Sequence, residues 1–141
     1  MDGAGGNRYG DVAGIRALAT RLREQGAEVA AEAERLVRLA EATGWTGRAA
    51  DAMRERAHDG ARGLRRTAGL HEDAAEALDR HAAEVERRLE LVAAAERTFA
   101  ALLDGARDRL GGLVDRLLDQ VALPPPGHRD WLTFDLPRFL R

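Results

Sequence analysis

A chain of 141 residues is long enough for one domain and too short for a second core of ordinary size. Its formal charge is −2 with both signs interspersed, so no basic face points to nucleic acid, and with no Cys it has neither disulfides nor thiolate metal sites. Hydrophobic residues make up 45%, mostly Ala and Leu, with three Phe and few β-branched residues, a composition that predicts an all-α fold.

Residues 1–10, MDGAGGNRYG, read as a flexible Gly-rich tail. Helical periodicity begins at Asp11, a suitable N-cap, and predicts a helix over 11–43. Ile15, Leu22, Val29 and Leu36 recur at heptad spacing, and beside them runs a stripe of small residues, Ala19, Gly26, Ala33 and Ala40. Such a stripe lets a neighbouring backbone approach closely. Gly44 is expected to end this helix with a positive φ.

The turn 44–47 reads Gly-Trp-Thr-Gly, in a chain with only 2 Trp. Trp45 is expected to cover the open end of a helical hairpin, packing on Leu39, Ala40, Ala50 and Met53, with Gly47 giving the chain room to enter the next helix and Thr46 as its N-cap.

A long second helix is predicted over 47–121. Its seam advances in steps of three and four: Ala57, Ala61, Leu64, Ala68, His71, Ala75, Leu78, Ala82, Val85, Leu89, Val92, Glu96, Phe99, Leu103, Ala106, Leu110, Leu113 and Leu117. That sustained phase is a sign of coiled-coil-like packing. The two polar members, His71 and Glu96, are read as fixing seam register, Glu96 with an arginine from a partner.

The first helix would span about 50 Å and the second about 110 Å. An antiparallel hairpin therefore pairs 11–43 with roughly 46–80. Beyond it Val85, Leu89, Val92, Phe99, Leu103, Leu110, Leu113 and Leu117 form an expected partner interface, which dimerisation would bury by completing a four-helix bundle. A fold-back at Gly105 or Gly111–Gly112 is the intramolecular alternative. Residues 122–141 form a Pro-rich linker and an apolar tail carrying Trp131, Leu132, Phe134, Leu136, Phe139 and Leu140, which is expected to fold back on the bundle.

Two helices joined by a Trp-x-Gly turn (Trp45-Thr46-Gly47) along an Ala-rich antiparallel seam resemble the WXG-motif superfamily. "GDVAGIRALATRLREQGAEVA" and "GWTGRAADAMRERA" look most like the amino-terminal export modules of actinobacterial type VII secretion substrates, over about residues 10–95. The resemblance implies a small helical hairpin that acts as a secreted substrate, export module or pairing partner. It would form a homodimer, or a heterodimer with another small helical protein, and be recognised by a secretion ATPase. Trp45 and Gly47 would be its recognition motif. The family's Tyr-x-x-x-Asp/Glu export signal is missing: Tyr9 is followed four residues on by Ala13. Either a partner supplies it or this chain is not itself the recognised substrate.

No other chemistry competes. His58, His71, His81 and His128 lack metal-site spacing, no Ser exists to act as a nucleophile, and the GAGG stretch follows no strand. No enzyme activity or cofactor is expected. No Sec-type leader and no membrane span are read, so the expected course is cytoplasmic synthesis followed by leaderless export to the surface or beyond. The alternative is an intracellular coiled-coil scaffold or oligomerisation module unrelated to secretion.

Overall fold

A computed structural model describes residues 11–141, so the expected tail over 1–10, with Tyr9, lies outside the described residues. All regular structure described is helical: α1 (Val12–Ala42), α2 (Arg48–Leu110) and α3 (Leu113–Leu118), followed by two short 3-10 turns, Arg129–Leu132 and Arg138–Leu140. The chain divides into two compact units, Ala13–Ala82 and one built on Ala83–Arg141.

In the first unit α1 and the beginning of α2 pack as a helical hairpin. The residues that α1 buries are the predicted small stripe, Ala19, Gly26, Ala33 and Ala40. The second helix answers with Ala50, Ala61, Ala75 and Ala82, all buried. Ala-on-Ala contact brings the backbones close, and at Gly26 there is no room for a side chain. A Cβ built there would lie 3.0 Å from the Cβ of His71 and 3.3 Å from the carbonyl oxygen of Ala68. The larger residues Ile15, Leu22, Val29 and Leu36 flank this seam and stay half-buried.

Ion pairs fix the antiparallel sense, their partners descending on one helix as they ascend on the other. Glu41 meets His58 at 2.8 Å, Glu34 meets Arg65 at 2.7 Å, and Arg23 meets Glu72 at 3.2 Å and Asp79 at 2.8 Å. Hydrogen bonds to Asp79 and then Glu72 push the Arg23 guanidinium pKa upward. These are solvated pairs, screened by water and salt, so they select register more than they stabilise it.

The second unit corrects the predicted helix over 47–121. The helix stops at Leu110, where Gly111 adopts φ +61 and its N–H closes on the carbonyl of Arg107 at 2.8 Å. A left-handed residue ends a helix at little cost only when it is glycine, and here heptad phase continues through a site where the backbone does not. Arg107 reaches Asp115 at 3.3 Å across the break. The chain then doubles back and seats Leu140 in a core with Phe99, Ala106 and Val114, with Leu102, Leu103, Leu118, Trp131, Phe134, Leu136 and Phe139 packed around it.

Candidate functional site

Two places in the fold carry the residues singled out from sequence: the hairpin turn and the face of α2 after Ala82.

At the turn, α1 ends at Ala42 and α2 starts at Arg48. Trp45 does not cap the hairpin: its side chain is 69% exposed. Arg54 holds the turn instead. Its guanidinium donates to the Trp45 carbonyl at 2.7 Å and to the Thr43 carbonyl at 3.0 Å, while the Thr43 hydroxyl donates to the Ala40 carbonyl at 3.0 Å. The Thr43 hydroxyl thus meets a carbonyl that the end of α1 leaves without an intrahelical donor, and Arg54 ties two carbonyls of the turn that follows. Gly44 is therefore not needed in a left-handed conformation. That geometry falls to Gly47, at φ +101, and the Gly47 carbonyl takes the first bond of α2 from the Asp51 N–H at 3.0 Å. Gly47, not Thr46, occupies the capping position. Arg54 was missed in the sequence because one arginine among 22 carries no pattern.

Leu39, in the last turn of α1, is 60% exposed, so the turn end presents a Leu and a Trp to solvent. On the flank of the same unit, Leu22, Thr67, Leu70, His71 and Ala74 line a shallow groove of about 250 Å³, with Leu70 67% exposed. His71 lies at the seam against Gly26, its ring nitrogen Nδ1 2.8 Å from the Thr67 carbonyl.

The expected partner interface divides. Val85, Val92 and Phe99 are buried within the chain, and Leu89, Leu103 and Leu117 are half-buried. Only Leu110 and Leu113, at 41% and 50% exposed, remain open, because they flank the break. The expectation that this face has no in-chain cover is corrected for Phe99 and Leu103: the folded-back tail covers them. Phe99, Trp131 and Phe134 form a ring cluster with centroids 5.3–5.9 Å apart, tilted or edge-on. Such arrangements add to area burial by about 0.5–1.5 kcal/mol per pair.

Glu96 is likewise corrected. It is not left for a partner's arginine, because its Oε1 accepts the backbone N–H of Gly127 at 2.6 Å. The Trp131 indole N–H donates to the Pro125 carbonyl at 3.0 Å, and His128 caps the first 3-10 turn by accepting from the Asp130 N–H. A polar seam residue thus anchors the chain's own tail.

Among the described residues no group of His, Asp and Glu is placed to hold a metal ion, and no helix is long and apolar enough to cross a membrane. No protein-family model, curated protein or solved structure matches the chain.

Proposed function

We propose that the chain is a type VII secretion-associated protein of the WXG kind, a secreted substrate, export module or pairing partner that works by helix–helix recognition. The observation that carries this reading is Trp45, 69% exposed in a turn that Arg54 holds through Thr43 and the Trp45 carbonyl, without use of the indole. An indole the fold does not use is available to a partner, and exposed aromatic rings are favoured anchors in protein interfaces. Leu39 and the groove at Leu70 extend the same unit's apolar surface. The partner is a second small helical protein or a second copy, docked on the hairpin, with a secretion ATPase as the recognising machine. Passage through the cytoplasm and leaderless export follow from that reading.

Co-expression with the products of adjoining genes, followed by mass determination, tests it, together with an export assay in a host that carries the secretion system. The expected result is a stoichiometric complex and export, both weakened by Trp45→Ala while the chain stays folded. Absence of both would leave the coiled-coil scaffold as the better reading.

A further inference from the structure

The break between α2 and α3 is the work of one residue. Gly111 has φ +61, whereas Gly112 beside it already has helical angles, φ −65 and ψ −8. A Cβ built on either glycine would meet nothing within 4 Å, so the corner faces open space. Its flanks are apolar and open, Leu110 41% and Leu113 50% exposed. Both keep the three-and-four spacing that runs from Phe99 through Leu103 and Ala106 to Leu117. At six residues α3 is too short to stand alone. The fold-back is held by the core that Val114 and Leu140 make with Phe99 and Ala106.

We infer that two copies of this chain exchange α3 and the tail about Gly111. Residues 113–141 of a second copy then occupy the face of α2 that the chain's own residues 113–141 cover here, and α2 runs on through α3 as one helix. The occupant's fit is shown by the closed chain itself. An identical segment offers the same apolar core and the same Glu96–Gly127 bond between copies as within one. A straight helix cannot keep these contacts in one chain, because its rise puts Val114 about 12 Å from Ala106. Straightening turns a single residue and gives the carbonyls of 108–110 the N–H groups of 112–114, where the Val114 N–H now reaches only Gly111 at 3.3 Å. An exchange of this kind is isologous, with its axis at the hinge, so Leu110 and Leu113 of the two copies cover one another. The closed monomer prevails when dilute, since it avoids the cost of association. The inference does not rest on the secretion reading, which concerns the hairpin.

The test uses the full chain, which has no cysteine of its own, carrying Arg107→Cys and Asp115→Cys. These side chains meet at 3.3 Å across the break, so a short bismaleimide links them within a closed chain. In an exchanged pair the same contact joins two copies and gives a covalent dimer on a denaturing gel. Gly111→Ala disfavours the left-handed corner and favours helix in both copies, so dimerisation by sedimentation equilibrium should tighten at least about tenfold. The links should move from within chains to between them. Gly111→Asn, which tolerates the left-handed region, should keep the mass and the internal links of the unmodified hinge. In a Trp45→Phe background, Trp131 emission should match in both forms, because the tail is seated in each. If Gly111→Ala frees the tail by that measure, the unmodified hinge replaces it, concentrated and then diluted before linking. Interchain links that rise with the starting concentration are then expected. A Gly111→Ala chain with a seated tail that stays monomeric, or an unmodified hinge with internal links at every concentration, would overturn the exchange. So would a dimer linked only within each copy, the result that docking on the hairpin would give.

Discussion

Gly26 and His71 meet across the hairpin so closely that even a methyl group on Gly26 would lie 3.0 Å from the His71 Cβ. A side chain on Gly26 would therefore push the two helices apart at this point. Ala is better than Gly in a helix by about 1 kcal/mol, whereas overpacking a tight contact costs about 1–3 kcal/mol. The neighbours here are a Cβ and a backbone carbonyl, which move only with their helix. Gly26→Ala should therefore destabilise the chain. Gly69, on α2, has nothing within 4 Å of a built Cβ, and Gly69→Ala should stabilise by about 0.5–1 kcal/mol. Urea midpoints at constant m-value separate the two, and the same sign for both would refute the close-approach account.

The turn yields a second pair of variants with opposite ranking from their sizes. Trp45→Ala removes the larger side chain but one the core does not use, so its cost should fall well below the ~3–5 kcal/mol of a core aromatic truncation. Arg54→Ala strips the Thr43 and Trp45 carbonyls of a charged donor and should cost about 1–2 kcal/mol, less than two fully buried bonds because the site is partly solvated. Thermal melts followed by circular dichroism rank them. A larger loss from Trp45→Ala would mean that the indole is part of the core.

Glu84 gives a pH dependence. Hydrogen bonds from Arg87 and then Arg88 hold its carboxyl below the usual carboxylate range. A folded pKa below the unfolded one means that the stabilisation is present above the unfolded value and is lost as pH falls through the folded one. Glu84→Gln should therefore flatten the acid limb of the Tm–pH curve slightly, and added salt should reduce the difference. An acid limb unchanged at low salt would show that the pairs contribute nothing.

The hairpin was legible in the sequence because its contact is periodic: Ala19, Gly26, Ala33 and Ala40 form one stripe, and burial follows it. The turn was legible in position but not in mechanism. A Trp between glycines suggests a plug, yet what closes the turn is Arg54, whose role depends on where carbonyls fall after folding. The end of the long helix was hidden for a different reason. Leu103, Ala106, Leu110, Leu113 and Leu117 keep heptad phase through Gly111, so side-chain pattern argues for continuity while a single backbone dihedral, φ +61, ends it. Glu96 on the seam read as a polar residue awaiting a partner chain. Its partner lies 31 residues further along the same chain, a separation that heptad phase does not encode.

The tail is therefore the natural place to test what the apolar face of α2 does when uncovered. Removing residues 124–141 would take away Trp131, Phe134, Leu136, Phe139 and the buried Leu140, and would expose Phe99, Leu102 and Leu103 on α2. Burial of such side chains is worth about 1.5–3 kcal/mol each, so the shortened chain gains a driving force for self-association that the full chain spends internally. Association costs of about 4–15 kcal/mol must be met first, which several such residues on each of two copies can do. Heptad phase through Gly111 also lets α2 lengthen once nothing holds the fold-back, presenting Leu110 and Leu113 on the same face. Sedimentation equilibrium at micromolar concentration should then show a higher average mass, relative to chain mass, for the shortened form than for the full chain. Leu140→Ala, which loosens the tail without deleting it, should move the full chain part of the way at a folding cost of about 2–5 kcal/mol. Equal relative masses for all three chains would show that the tail does not shield an interface.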